Sequence, residues 1–208
     1  MIARLLLSLA LASSLNNPVD AALEGFHNLA SYRVTIRAKS GGSTQIIRYF
    51  FKRPGYVRME FIKPHAGAVL VYNPVTKKAR LRPFAFLKAL VLTLDPDNGL
   101  ITGPHGHRVD ASDLGSFLST VRDLEVRGSS RILGMERVGE RDALLVEVTG
   151  AGGITVADGI HRYLLWLDAG TSLPLRTKSF DLDGSEVEDV LMDDLEINVD
   201  LQENLYEL

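Results

Sequence analysis

The 208-residue sequence predicts an α+β domain: about ten to eleven antiparallel strands in one large, curved sheet, with a few helices packed on one side. Two observations lead to this prediction. Apolar and polar residues alternate with a period of two over most of the chain. Short turn sequences, rather than helical crossovers, separate successive strands. Because parallel strands need those crossovers, the sheet is predicted to be antiparallel.

The first half is predicted to contain one short helix followed by a five-stranded meander. Residues 22–31 place Leu23, Phe26 and Leu29 at helical spacing, with Glu24 in the first turn. Beyond Ser31 the period changes to two, and Gly or Pro turns divide the pattern. The strands are predicted at residues 32–38, 44–53, 56–62, 68–72 and 77–81.

The second half is predicted to contain one helix and a second set of strands. Residues 110–121 carry Leu114, Phe117, Leu118 and Val121 at helical spacing, behind an N-cap at Asp110 or Ser112. Turns rich in Gly, Asp and Ser separate the strands that follow. These strands are predicted at residues 129–138, 143–149, 161–168, 174–182 and 186–199.

The N-terminal 21 residues have the features of a secretory signal peptide. Arg4 precedes an apolar run over residues 5–15, and Pro18 with small residues up to Ala21 predicts cleavage after Ala21. The run is shorter than the ~20 residues that a membrane-spanning helix needs. The domain is therefore predicted to cover residues 22–208. The alternative to a signal peptide is that the N-terminal segment forms a buried helix of the domain.

Composition and motifs argue against several classes of function. The formal net charge is −3, and the basic residues are interleaved with acidic ones, so no nucleic-acid footprint is present. The chain has no cysteine, and it lacks the common nucleophile, phosphate-loop and metalloprotease motifs. Only His105 and His107, with Asp110 and Asp113, suggest a metal or an enzymatic site, and their spacing is weak evidence for one. The prediction is no enzyme, no metal and no cofactor.

Residues 50–64, Phe-Phe-Lys-Arg-Pro-Gly-Tyr-Val-Arg-Met-Glu-Phe-Ile-Lys-Pro, resemble the periplasmic lipoprotein-carrier superfamily of the LolA and LolB type. Trp166-Leu-Asp168, the Leu-Pro ending at Pro174 and the Asp-Gly turn at residues 183–184 are similar to the late hairpins of that superfamily. The resemblance covers most of residues 22–205. Met59 stands where the carriers usually have Trp, so the chain resembles a divergent, uncharacterised member.

The resemblance implies an incomplete antiparallel β-barrel whose concave, apolar face is covered by helices and accepts lipid or acyl chains. It also implies that Arg53 bonds to the helical lid and helps to hold it shut. A solvated arginine at a strand end is the alternative for Arg53.

A set of alternating strand residues is the candidate lining of the ligand cavity. If these side chains face the concave side, they must be covered by helices or filled by something apolar, and an ordinary core remains the alternative. A one-residue error in register would exchange every one of them for its neighbour. The candidate residues are Ile47, Tyr49, Phe51, Val57, Met59, Phe61, Leu70 and Trp166.

The apolar segment at residues 84–92 is the candidate lid, with Phe84, Phe86, Leu87 and Leu90 as its main residues. It is too short to span a bilayer and too apolar to stay in water, so it either packs over the sheet or contacts a membrane or partner.

Together these features predict a non-enzymatic periplasmic carrier or sensor that binds a lipid or a lipoprotein acyl chain. The alternative is an envelope protein-interaction or sensor module of the same fold without bound lipid, and nothing in the sequence identifies the lipid or the partner protein.

Overall fold

Eleven antiparallel strands form a single open sheet in the part of the chain that the structure, a computed structural model, describes: residues 17–87, 89–103 and 107–208. The strand order is β6-β5-β4-β3-β2-β1-β11-β10-β9-β8-β7, so the edges β6 and β7 do not meet and the barrel stays incomplete. The α+β prediction is confirmed. The strands are β1 (Ser31–Ser40), β2 (Ser43–Lys52), β3 (Tyr56–Lys63), β4 (Val69–Asn73), β5 (Lys78–Arg82), β6 (Leu92–Leu94), β7 (Gly128–Val138), β8 (Arg141–Gly150), β9 (Arg162–Asp168), β10 (Pro174–Phe180) and β11 (Glu186–Ile197).

Two helices pack on one side of the sheet, which we call the inner face. They are α1 (Pro18–His27) and α2 (Leu114–Val126), and no helix in the described residues is long and apolar enough to cross a bilayer. Asp113 caps α2 through its side chain, so the predicted N-cap at Asp110 or Ser112 is wrong. Asp110 instead pairs with Arg108, and the Ser112 hydroxyl donates to the carbonyl of Val109.

The helix α1 begins earlier than predicted, because Asn17 and not Ala22 starts it. The Asn17 side chain accepts hydrogen bonds from the N–H groups of Val19 and Asp20, and Pro18 occupies the first turn, where its missing N–H costs nothing. Val19 is fully buried in the core. The bond after Ala21, at which cleavage is predicted, therefore lies inside α1, whereas residues 1–16 of the predicted leader lie outside the described residues.

A buried carboxylate joins the start of α1 to α2 and β7. Glu125 on α2 is only 6% exposed. It accepts hydrogen bonds from Asn17 at 2.7 Å, from Arg122 at 2.9 Å and from the hydroxyl of Ser130. Three donors compensate for the loss of hydration that burying this charge entails. Residues 17–21 are thus part of the folded domain.

The outer face of the first half of the sheet is covered by the C-terminal residues. Leu201 and Tyr206 pack against Val69 and Val71 of β4. Basic side chains of the strands donate to backbone carbonyls of this segment: Lys52 to Leu201 at 3.0 Å, Arg58 to Leu205 at 2.8 Å and Arg80 to Leu208 at 2.6 Å. Among the described residues, none covers the far end of the sheet, at β7, in this way.

A chain that starts at Ala22 should be clearly less stable than one that starts at residue 16. It lacks the Asn17 cap and the burial of Val19, which together contribute about 3 kcal/mol. Urea unfolding of the two purified versions measures the difference. Equal unfolding midpoints would show that residues 17–21 are dispensable and would favour processing after Ala21. N-terminal sequencing of the protein purified from cells is the direct complement, and we expect the chain to retain Asn17.

Candidate functional site

Apolar side chains of the inner face form two rows that run across neighbouring strands. Strand pairing brings Val34, Tyr49, Met59, Leu70 and Leu81 into one row, which we call the Tyr49 row. Paired residues of antiparallel strands point to the same face, so each row is a continuous apolar strip.

The second strip, which we call the Phe61 row, consists of Met192, Ile36, Ile47 and Phe61 on β11, β1, β2 and β3. Four adjacent strands span about 14 Å, at about 4.8 Å between neighbours. Seven of the eight predicted cavity residues therefore share one face of the sheet.

Trp166 is the exception, because it lies on the outer face. Its neighbours Leu165 and Leu167 join the inner core, whereas Trp166 packs with Ala143, Leu145 and Leu175. Successive side chains of a strand alternate between faces, so Trp166 cannot share a cavity with the other seven residues. The prediction for Trp166 is wrong.

The helices fill most of the space above the Tyr49 row. The ring of Phe26 on α1 lies 5.5 Å from that of Phe51, and Tyr32 stacks on Phe51 at 5.1 Å and on Tyr49 at 5.8 Å. Leu114, Leu118, Val121 and Leu124 of α2 belong to the same core. Tyr49, Phe51, Val57 and Leu70 are accordingly buried as core residues. Between α2 and strands β9–β11 a cavity of only about 60 Å³ remains, too small for a ligand pocket of ~300 Å³ or more.

The Phe61 row is less completely covered. Ile36, Phe61 and Met192 pack against the core but stay partly exposed, and only Ile47 of this row is buried. The helices thus leave an apolar strip of the inner face in contact with solvent. Sequence reasoning missed Ile36 and Met192. The alternation of apolar and polar residues on β1 is the signal that identifies Ile36, whereas the acidic residues around Met192 obscure the same signal on β11.

Two tyrosine hydroxyls attach the start of α2 to the sheet. The N–H of Leu114 donates to Tyr32 Oη at 3.1 Å, and the hydroxyls of Tyr49 and Ser112 lie 3.1 Å apart. Burial raises the pKa of both phenols well above their ordinary value, so both stay protonated over the physiological range. These contacts provide polar partners for the two hydroxyls without introducing a charge into the core.

Arg53 binds the end of α1 with its guanidinium group. Its Nε donates to the carbonyl of Leu29 at 2.8 Å, and its Nη2 donates to those of Phe26 at 2.9 Å and His27 at 3.2 Å. The guanidinium also lies 4.9 Å from the centre of the Phe26 ring. A positive group at a helix C-terminus satisfies free carbonyls and interacts favourably with the helix dipole. Arg53 therefore contacts the helical cover; its role as a latch stays a prediction.

The predicted lid segment does not pack over the sheet as a lid. Phe84, Phe86, Leu87 and Leu90 are all exposed, with Phe86 at 79%, and the rings of Phe84 and Phe86 stack on each other at 5.4 Å. The loop is anchored beside the turn between β3 and β4, where Ala85 lies against Gly67. The inner face is instead covered by α1, α2 and the buried loop residues Ile101 and Val109. A contact of this segment with a membrane or partner remains a prediction.

The weak metal hypothesis gains no geometric support from the described residues. Asp113 is engaged as a helix cap and Asp110 in an ion pair, while His105 lies outside the described residues. Within the described ranges, no group of three or more His, Cys, Asp or Glu side chains is placed to hold a metal ion.

No protein-family model matches the chain, nor does any curated protein. Solved structures do resemble it. An uncharacterized conserved protein from Thermus thermophilus is 14% identical, with a TM-score of 0.57 over 92% of this chain and 91% of that one. MucB of Pseudomonas aeruginosa, in its complex with MucA, is 17% identical, with a TM-score of 0.57 over 92% of this chain and 59% of MucB. The lipoprotein LppX of Mycobacterium tuberculosis is 10% identical, with a TM-score of 0.54 over 89% and 95%.

The chain shares the fold of these three structures. The resemblance suggested by residues 50–64 and by the late hairpins is thereby confirmed at the level of the fold. This chain spans about three fifths of MucB. At identities of 10% to 17%, the likeness describes architecture and not ligands or partners.

Replacing Arg53 by Leu should lower the free energy of unfolding by about 1 kcal/mol, because the carbonyls at the end of α1 lose a charged donor. Arg53→Lys should retain part of this stability, since one ammonium cannot reproduce the planar guanidinium. Arg48→Leu is the matched control: that side chain is 60% exposed and lies 3.7 Å from Glu60, so its loss should cost under about 0.5 kcal/mol. Chemical denaturation measures all three. Indistinguishable stabilities of the Arg53→Leu and Arg48→Leu variants would contradict a structural role for the contact.

Proposed function

We propose that this protein is a non-enzymatic carrier or sensor of the periplasm, exported by its N-terminal leader, that holds a lipid or lipoprotein acyl chain. The acyl chain would lie along the Phe61 row. The observation that carries this proposal is the partial exposure of Ile36, Phe61 and Met192 beside an otherwise filled core. Exposed apolar surface that is contiguous and concave is the usual mark of a binding site.

The hydrophobic effect supplies the affinity in this proposal. Each Å² of apolar surface removed from water contributes about 25 cal/mol, and both the strip and an alkyl chain would lose hydrated surface. Met192 lies at one end of the strip and Met59 lies beside it in the Tyr49 row, and unbranched methionine side chains can adapt to ligands of different shape. The resemblance of this chain to the lipoprotein-carrier superfamily supports this use of the inner face.

A longer acyl chain would contact the Tyr49 row only if the helical cover, α1 and α2, moved away from that row. Burial of the apolar side chains of both helices opposes such movement, and so do the Arg53 bonds to the end of α1 and the tyrosine contacts at the start of α2. Because each contact is made at a helix end, the helices could swing without losing their internal hydrogen bonds. Arg53 would then bias the equilibrium toward the closed arrangement.

Phe61→Ser should reduce the binding of lipid about tenfold, since the row loses most of one large apolar side chain. Organic extraction of the purified protein followed by mass spectrometry measures the lipid that copurifies, and titration with a fluorescent fatty acid measures affinity. Val75→Ser is the control, because Val75 is 74% exposed on a turn away from the row. Wild-type protein that extracts without lipid and does not bind the fatty acid would refute the carrier proposal.

Arg53→Leu should speed the transfer of bound fatty acid to acceptor vesicles by several-fold, because the cover opens more often without its bonds. Arg48→Leu should leave the transfer rate unchanged. Stopped-flow fluorescence with a quencher in the vesicles measures these rates. If Arg53→Leu and wild type transfer at the same rate, Arg53 does not act as a latch.

A partner-binding envelope module is the second candidate, and two observations favour it. The space under α1 and α2 is largely filled, and the outer face carries a groove of about 590 Å³. The apolar residues of its lining are Val138, Leu175, Leu191, Met192 and Leu195. MucB, which shares the fold, is seen in complex with MucA.

Reciprocal variants separate the two candidates. Crosslinking in envelope extracts should give an adduct that is lost in Leu191→Lys and kept in Phe61→Ser if the outer groove binds a partner protein. The carrier proposal expects the opposite pattern for lipid retention. An adduct that neither substitution affects would argue against the outer groove as the contact.

A further inference from the structure

Within the described part of the chain, the strand β7 forms a long edge of the sheet with no strand paired to its outer side. It is the last strand in the sheet order and contains eleven residues, whereas the opposite edge, β6, has three. Nine of its residues are exposed, and among them Ile132, Leu133 and Met135 are 50%, 43% and 59% exposed. A long apolar edge with unpaired backbone groups is a template for another strand.

An irregularity in β7 places its side chains in a particular order. Ile132 pairs with Val146 and Gly134 with Leu145, so Leu133 is an extra residue that shifts the alternation by one position. Ile132 and Met135, which pair with Val146 and Leu144, therefore both point to the inner side.

Arg131 and Glu136 both point to the outer side for the same reason. Arg131 pairs with Glu147 and Glu136 with Ala143, and Ala143 belongs to the outer cluster. Without the extra residue, side chains an odd number of positions apart would face opposite sides. The bulge thus makes β7 symmetric in side-chain orientation about the bond between Leu133 and Gly134.

We propose that β7 pairs with β7 of a second copy of this chain, antiparallel, about a two-fold axis between Leu133 and Gly134. In this register Ile132 of each copy faces Met135 of the other. Arg131 of each copy likewise faces Glu136 of the other, and both pairs occur twice because the interface is symmetric. The strand is therefore complementary to itself in apolar contact and in charge.

The existing contacts of the two charged residues leave room for this pairing. Arg131 uses its Nε to bind Glu147 at 2.8 Å, and Glu136 uses its Oε2 to accept from Trp166 Nε1 at 2.7 Å. The terminal N–H groups of Arg131 and the Oε1 of Glu136 would make the new pair. A foreign extended peptide would also satisfy the backbone, but only a second copy brings these charges in this register.

The expected dimer is weak. Cross-strand pairs contribute about 0.2–1 kcal/mol each, and one added ladder buries less surface than the ~1,200–2,000 Å² of a stable interface. We therefore expect dimerisation that depends on protein concentration. Met135→Lys places a positive charge opposite the apolar Ile132 of the other copy and should raise the dissociation constant at least tenfold. Met135 is exposed, so this substitution should leave the fold intact.

Engineered cysteines test the register directly, because the chain has no cysteine of its own. We would purify the Ile132→Cys and Met135→Cys variants, mix them and oxidise mildly. The mixture should form a covalent dimer, since the two positions face each other across the copies. Each variant alone should not, because identical positions are offset by three residues, roughly 10 Å, beyond disulfide reach. A Val75→Cys variant, exposed elsewhere, is the control and should not crosslink with either.

Sedimentation velocity of the full-length wild type over a range of concentrations completes the test. Concentration-dependent dimers that Met135→Lys weakens, together with a disulfide found in the mixture alone, support the proposal. A monomer at every concentration without mixed disulfide would overturn it. So would a dimer that is indifferent to Met135→Lys, or one in which each cysteine variant crosslinks by itself.

Discussion

An open eleven-stranded sheet with an apolar inner face has to be covered, and this requirement organises the molecule. The inner side chains come from strands on both halves of the sheet, so the cover must contact both halves. Two short helices and one loop accomplish this, with Phe26, Leu118 and Val109 among the buried contacts. Burial of apolar surface holds the cover in place, and the few polar contacts at the helix ends determine its position.

The cover leaves part of the inner face exposed, and this exposed part is the candidate binding surface. The aromatic stack of Tyr32, Tyr49 and Phe51 fills the space below the helices, whereas the Phe61 row is only partly buried. The filled region stabilises the fold, and the exposed apolar strip can bind a ligand because binding removes its apolar surface from water. The outer face follows the same rule: the C-terminal residues cover one half, and a groove and a free edge occupy the other.

Particular residues show how far sequence reasoning reaches. Alternation on β2 and β3 was enough to place Tyr49, Phe51, Val57 and Met59 on one face, because the period of a strand is fixed by its geometry. The same reasoning failed for Trp166, since nothing local indicates which face of a distant strand is the inner one. The prediction that residues 84–92 cover the sheet was wrong, because an apolar composition indicates only that residues avoid water. It does not indicate which surface they contact.

The sequence by itself determined the antiparallel architecture and the alternation of the strands, and its resemblance to a known superfamily predicted the contact of Arg53 with the helical cover. These follow from local periodicity, turn chemistry and a motif that carries a resemblance. Only the tertiary structure decided where α1 begins, which helices cover the sheet, how much of the inner face they fill and which strand edge stays free. Those outcomes depend on contacts between residues far apart in the chain, such as Asn17 with Glu125, and no local pattern encodes them.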